Sequence, residues 1–394
     1  MSAVQHRHDL ASRLLGGGVV VASDESFGEK EHVLNPAPAD WVPGRFGPRG
    51  EIVDGWETRR RRTPGHDWVI VRLGTPGRIR AVDVDTSFFT GNFPAHAGLE
   101  ACGLEGHPGP EALAAADWVP LVPRSELAGG EHNVFTVGDE RRWTHVRLSI
   151  HPDGGVARLR VYGEVVPDPR RLDGVSVDLL SPLLGAEVLA SSDDYYSGAS
   201  ALIRPDLART MGEGWETRRR RDEGHDWVTF RLGAPGLVRQ VEVDTRHFVY
   251  NASAAFALSL AEQPPDAGPQ DAAWRPALPR TPLQPDTAHW FALDDVPAGY
   301  ARLDVFPDGG MSRLWLPGVL TPAARAELGL DWFASLPSGQ AAGVLAALPE
   351  APVDSSRLRD LVAARPFESV QAAGEAWAAV TGSVLGLTRL LAGR

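Results

Sequence analysis

Gly55-Trp56-Glu57-Thr58-Arg59-Arg60-Arg61-Arg62, followed by Gly65-His66-Asp67-Trp68-Val69, decides the fold because it occurs twice, returning as Gly214 to Arg221 and Gly224 to Val228 with the same spacing. The agreement runs outward through Arg72-Leu73-Gly74 and Arg231-Leu232-Gly233, Pro76-Gly77 and Pro235-Gly236, then Val84-Asp85-Thr86 and Val243-Asp244-Thr245. Further out, HVRLSIHPDGGVARLRVYG at 145–163 answers YARLDVFPDGGMSRLWLPG at 300–318, and Ser23-Asp24-Glu25 answers Ser192-Asp193-Asp194. Self-similarity on this scale is the mark of a duplicated domain. The chain therefore divides into a first repeat at 14–166, a linker at 167–182 rich in proline and charge, and a second repeat at 183–319.

Within each repeat the text is short alternating runs, such as WVIVRL at 68–73, IRAVDVDT at 79–86 and HVRLSI at 145–150. Alternation with period two predicts half-buried strands, and Gly-Thr-Pro-Gly at 74–77 and Pro-Asp-Gly-Gly at 152–155 predict the turns between them. The expected fold class is all-β, two tandem sandwiches or jelly rolls. From 321 to 394 the text becomes rich in alanine and leucine, which predicts a small helical tail.

Composition narrows the function. A chain of 394 residues with 43% hydrophobic content can fill a core in each repeat, and a net charge of −12 argues against a nucleic-acid partner. The single cysteine, Cys102, excludes a disulfide framework and reads as a small buried apolar residue. No apolar run suits a signal peptide or a membrane span, so a cytoplasmic location is expected, with a small-molecule partner, no membrane, and assembly as a homo-oligomer. Gly-x-Ser-x-Gly, P-loop, HExxH and dinucleotide fingerprints are absent.

The duplicated charged cluster carries the candidate chemistry. If WETRRRR is a strand, Glu57, Arg59 and Arg61 share one side while Thr58, Arg60 and Arg62 share the other. Arginine forks suit a substrate carboxylate, and a neighbouring Glu can orient them or move a proton. Most charge runs are solvated edges, but the second copy keeps Glu216, Arg218 and Arg219, which favours a functional reading. His66 and His225, each beside an aspartate (Asp67, Asp226), are candidate general acid–base residues, although such residues also cap strand entrances. In the loop that follows Asp85 and Thr86, Asn92 offers both a donor and an acceptor, which matches amide or ureido groups, and Asp244 and Asn251 hold the matching places in the second repeat; an ordinary turn is the plainer reading. No cofactor is assigned. A divalent metal held by His66 with Asp67 or Asp85 would need ligands beyond those the spacing supplies.

The combined text DGWETRRRR, GHDWVIVRLG and VDVDTSFFTGNFP resembles the signature of the allantoicase family, and Ala22-Ser23-Asp24-Glu25-Ser26-Phe27 resembles the opening of its domains. The resemblance covers 14–319 and implies two galactose-binding-like jelly rolls that hydrolyse allantoate to ureidoglycolate and urea. Glu57, His66 or Asp67 would then supply the proton and activate the water, with the arginines on the substrate carboxylate. The second repeat lacks Thr-Gly-Asn-Phe-Pro and keeps only Asn251 of it, which points to the first repeat for the chemistry. In the tail, Asp331-Trp332-Phe333 and Ala364-Arg365-Pro366-Phe367-Glu368-Ser369 resemble the start of an OHCU decarboxylase domain, yet no histidine follows His289, so a docking or vestigial helix pair is expected there. The competing expectation is a tandem binding module for a ureido acid or carbohydrate without turnover.

Overall fold

A computed structural model of the chain describes residues 7–263, 274–351 and 355–393. The opening residues 1–6, part of the stretch read above for a leader, lie outside that set, as do 352–354 and 394 of the tail.

Each repeat is built on one unusually long strand. Asp67–Asp85 runs for 19 residues, and Asp226–Asp244 does the same. The first half of Asp67–Asp85 lies between Gly18–Ala22 and Arg142–His151, and its second half pairs with His132–Thr136 and Arg158–Val165. One strand thus serves both layers of an eight-stranded antiparallel sandwich. Gly74-Thr75-Pro76-Gly77, expected as a turn between two strands, is instead the corner where this single strand bends. The corner needs a bare backbone, since a Cβ on Gly74 would stand 2.7 Å from the Gly17 nitrogen. The second repeat repeats the plan around Asp226–Asp244 and a second strand of 19 residues, Ala288–Phe306.

Alternation does what the period predicts: Val69, Val71, Leu73, Val82 and Val84 point into the first core, as Val228, Phe230, Leu232, Val241 and Val243 do in the second. Fully burying a side chain of this kind contributes roughly 1.5–3 kcal/mol. The tryptophans of the duplicated cluster, Trp56 and Trp215, are completely buried, and each indole N–H donates to a backbone carbonyl, that of Asp24 at 2.7 Å and that of Asp193 at 2.9 Å. The cluster is thereby tied to the Ser-Asp segment that opens each repeat.

The expected strand through WETRRRR is not formed. Only Trp56–Glu57 is strand, paired with Gly155–Val156, and likewise only Trp215–Glu216. The reason lies in what the following amides find. Arg59 N donates to Asp24 Oδ1 at 2.8 Å and Arg61 N to Asp153 Oδ2 at 2.8 Å, so aspartate side chains take the place of a neighbouring strand. Thr58 N meets the Gly154 carbonyl, and Gly154 N donates back to Thr58 Oγ1. Asp193 and Asp308 do the same for Arg218 N and Arg220 N in the second copy.

After residue 321 come the helices Pro322–Ser335, Ser338–Ala346, Ser355–Ala363, Val370–Thr381 and Leu385–Ala392, more than the pair expected. The chain forms two compact units, one of residues 1–167 with 330–387 and one of 168–329 with 388–394. In the first, Arg78 pairs with Asp331 and Gln340 donates to Glu105 at 2.9 Å. In the second, Arg325 pairs with Asp173 at 2.7 Å and donates to the Leu391 carbonyl. No helix among the described residues is long and apolar enough to cross a membrane.

Cys102 is buried, and burial pushes its thiol up to about 12, with Arg147 drawing it partly back. Thiolate is the reactive form, so a thiol reagent at pH 8 is expected to leave native protein unlabelled and to label one site per chain in denaturant; rapid native labelling would contradict this.

Candidate active site

A cleft of about 770 Å³ opens on the first repeat beside Trp56–Glu57 and is lined by Glu57 and Asn92 with Phe27, Trp41, Glu51 and Phe88. Asn92 Nδ2 donates to Glu57 Oε1 at 2.8 Å. Burial lifts the Glu57 carboxyl above its ordinary range, and the Asn92 hydrogen bond, which favours the charged form, pulls it partly back. The cleft thus holds a half-buried carboxylate with one oxygen oriented.

The loop after the long strand is fixed from below. Asp85 Oδ1 accepts from Ser87 N at 2.8 Å, and Thr86 Oγ1 donates to the Ala128 carbonyl at 2.6 Å. Both side chains are buried, and they hold the turn rather than line the cleft. Asp244 and Thr245 do likewise, Asp244 toward Arg246 and Thr245 toward the Gln284 carbonyl. The turn places Phe88 at φ 68° and its counterpart His247 at φ 73°, the left-handed region that bulky residues avoid. Strain kept at one position in both copies, at the rim of the cleft in the first, is typical of a site whose surroundings over-determine it. Asn92 is held too, its carbonyl accepting from Gly155 N at 2.8 Å.

The second repeat keeps the pair, with Asn251 Nδ2 donating to Glu216 Oε1 at 2.7 Å. What differs is the wall. From Pro36 to Asp54 is a step of 18 residues, whereas from Pro205 to Glu213 it is 8. The ten extra residues of the first repeat include the hairpin Phe46–Gly47 and Gly50–Glu51, and this segment brings Trp41 and Glu51 to the cleft. In the second repeat Tyr250, at the place of Gly91, is 97% exposed. The length difference was readable in the alignment of the copies and is the signal that sequence reasoning missed.

A buried arginine that sequence reasoning also missed holds the ends of this segment. Arg158, 2% exposed, donates to the carbonyls of Ala37 at 2.9 Å, His32 at 3.2 Å and Asp54 at 2.9 Å, and pairs with the Asp54 carboxylate. Arg313 clamps the shorter segment in the same way, onto the carbonyls of Asp206 at 2.6 Å and Glu213 at 2.7 Å. Both arginines stand in the repeated Ala-Arg-Leu and Ser-Arg-Leu text.

The remaining expected residues lie elsewhere. Arg59 and Arg60 line a separate pocket with Asp67, and Arg59 pairs with Asp24 at 3.0 Å. Asp67 is buried against Arg61 at 2.7 Å and Ser23 at 3.0 Å, so it does not steer His66. His66 is exposed, its ring 4.6 Å from that of His151, which burial and the neighbouring charges of His66, Arg124 and His96 push down. His225 differs, meeting Asp304 Oδ1 at 2.9 Å and the Phe306 ring. Asp226 is buried against Ser192 at 2.9 Å, Arg218 lies over Tyr195, and Arg219 is exposed. Among the described residues no three His, Cys, Asp or Glu side chains converge as metal ligands.

Comparison with known proteins gives a consistent answer. The family described as the allantoicase repeat matches residues 8–166 and 177–321, ending where the helices begin. A probable allantoicase of Nocardia farcinica is 49% identical over 316 residues, covering 79% of this chain and 94% of the relative. One from Streptomyces coelicolor is 46% identical over 334 residues, covering 81% and 87%. The crystal structure of allantoicase from Saccharomyces cerevisiae superposes with a TM-score of 0.67 at 30% identity, covering 79% of this chain and 92% of that one. The chain, with its two sandwiches and its duplicated glutamate and asparagine pair, belongs to the allantoicase family.

Proposed function

We propose that the protein hydrolyses allantoate to ureidoglycolate and urea, with the chemistry in the first repeat. The observation that carries this reading is the half-buried Glu57 carboxylate in the cleft, oriented by Asn92. In the reaction the bond between the central carbon and one ureido nitrogen breaks, that nitrogen takes a proton and leaves as urea, and the water oxygen bonds to the carbon. Glu57 is suited to both transfers, taking the proton from water and passing it to the departing nitrogen. A carboxyl lifted toward neutral pH accepts and returns a proton more evenly than an ordinary one. Asn92 keeps one oxygen aimed while the other remains for water, and Phe27, Trp41 and Phe88 give the cleft an aromatic wall. The histidines do not line this cleft and no step is assigned to them. The cytoplasmic location and homo-oligomeric state expected above accompany this reading.

The decisive experiment is urea release from allantoate by purified protein; no urea above the uncatalysed rate would overturn the assignment. The Asn92 hydrogen bond supplies a second check. Because it lowers the Glu57 pKa, Asn92→Ala is expected to move the acid limb of the pH–kcat/KM profile to higher pH. An acid limb that stays or moves down would remove Glu57 as the base.

A further inference from the structure

Hydrolysis removes one ureido group from the central carbon and leaves the other in place. Glu57 and Asn92 serve the water and the departing nitrogen, while the group that stays presents N–H donors that need an acceptor of their own. The lining of the cleft holds a second carboxylate, Glu51, brought there by the hairpin in the segment that the second repeat lacks.

The hairpin fixes this carboxylate from one side. Ile52 N donates to the Arg45 carbonyl at 2.8 Å, and Gly44, at φ 75°, donates its N–H to Glu51 Oε1 at 3.0 Å. The side chain is exposed, and its Oε2 has no partner among the described residues. One oxygen is thus held and one is open, as Asn92 leaves Glu57. Burial and Asn92 are the influences that move the Glu57 carboxyl, and Glu51 is not among them, which leaves the two carboxylates free to meet different parts of one ligand. Across the rim the Trp41 ring lies 6.0 Å from that of Phe88, so the segment spans to the turn after the long strand. Arg45 and Arg49 outnumber Glu51 within the hairpin, so the wall as a whole does not repel an anionic substrate. In the shorter segment of the second repeat, Glu213 is taken up by Arg209 at 2.5 Å.

We propose that Glu51 is a substrate-holding residue whose free oxygen accepts the N–H groups of the ureido group that stays on the central carbon, and that it thereby selects acids bearing two such groups. A site built around an acceptor discriminates against an analogue that brings no donor to it. The inference deepens the proposed hydrolysis and rests on it for the identity of the substrate. It also gives a chemical reason for placing turnover in the first repeat, since Glu216 and Asn251 keep the geometry of their counterparts but have no inserted hairpin beside them.

Glu51→Gln separates this role from one in shaping the hairpin. Its amide has one acceptor oxygen, which serves either Gly44 N or the ureido N–H groups and not both. A residue that only held the hairpin would be replaced by glutamine without loss. The variant is expected to raise KM for allantoate about tenfold with kcat within about twofold, as when a charged hydrogen bond made equally in ground and transition states is lost. Calorimetry should show the affinity for ureidoglycolate, the product that keeps the held group, weakened by the same factor. A KM that stays at the wild-type value, or a loss confined to kcat, overturns the proposal. Urea release by the wild type with ureidoglycolate affinity unchanged in Glu51→Gln would sink this inference and keep the hydrolase reading; weakened affinity without urea release by the wild type would do the reverse.

Discussion

Glu57→Gln is expected to lower kcat for urea release by about 10²- to 10⁴-fold, the range typical of losing a positioned proton-transfer group. Glutamine keeps the shape, and its amide oxygen still accepts the hydrogen bond that Asn92 Nδ2 now gives to Glu57 Oε1 at 2.8 Å, so the fold and the cleft should survive. What is lost is the capacity to hold and return a proton. The variant should therefore show a fall in kcat with KM little changed, and its residual rate should lose the acid limb that burial of Glu57 places above the ordinary carboxylate range. The matching change at Glu216 tests the inequality of the repeats. Its pair with Asn251 has the same geometry without the inserted wall, and a far smaller loss is expected. Equal losses in the two variants would mean that both repeats turn substrate over.

Arg158→Ala is expected to destabilise the first repeat by about 3–5 kcal/mol, because it strips a buried charge network of its centre and leaves the Asp54 carboxylate without its guanidinium. Burial and the Arg158 pairing are the main influences on Asp54, and the net effect holds its carboxyl below the usual range. The carbonyls of Ala37, His32 and Asp54 lose a donor in the same step. Guanidinium chloride titration measures the effect, with the midpoint falling and the slope unchanged. Arg158→Lys should recover little, since an ammonium cannot span acceptors arranged for a planar fork. Arg313→Ala should cost comparable stability in the second repeat but leave KM alone, whereas Arg158→Ala should raise KM by loosening the wall that carries Trp41. Equal effects on KM would show that the clamp has no bearing on the cleft.

Much of this was legible from the repeat itself. Strand alternation follows from periodicity, and Glu57 and Asn92 both stand among the candidate residues of the first repeat, although 35 residues separate them. What the sequence concealed has a common cause. Periodicity describes side chains against a sheet and says nothing of amides bound by side chains, so WETRRRR reads as a strand although Asp24 and Asp153 capture its N–H groups. For the same reason Asp85 and Thr86 look like ligand-binding groups but are spent on their own turn. Neighbouring residues also need not share a site: His66 adjoins Asp67 in the chain, yet one is exposed against His151 and the other is buried against Arg61.

The segment between Pro36 and Asp54 has a further meaning for how such a protein diversifies. It is anchored at both ends by one buried arginine and carries a wall of the cleft, while the shorter counterpart between Pro205 and Glu213 is anchored by the matching arginine. Length and sequence between the anchors can change without disturbing either sandwich, because loop closure grows only slowly in cost with added residues. A graft of residues 37–53 in place of 206–212 would ask whether catalysis is portable between duplicated halves, and exchanging the segment among relatives would ask whether it sets which substrates enter.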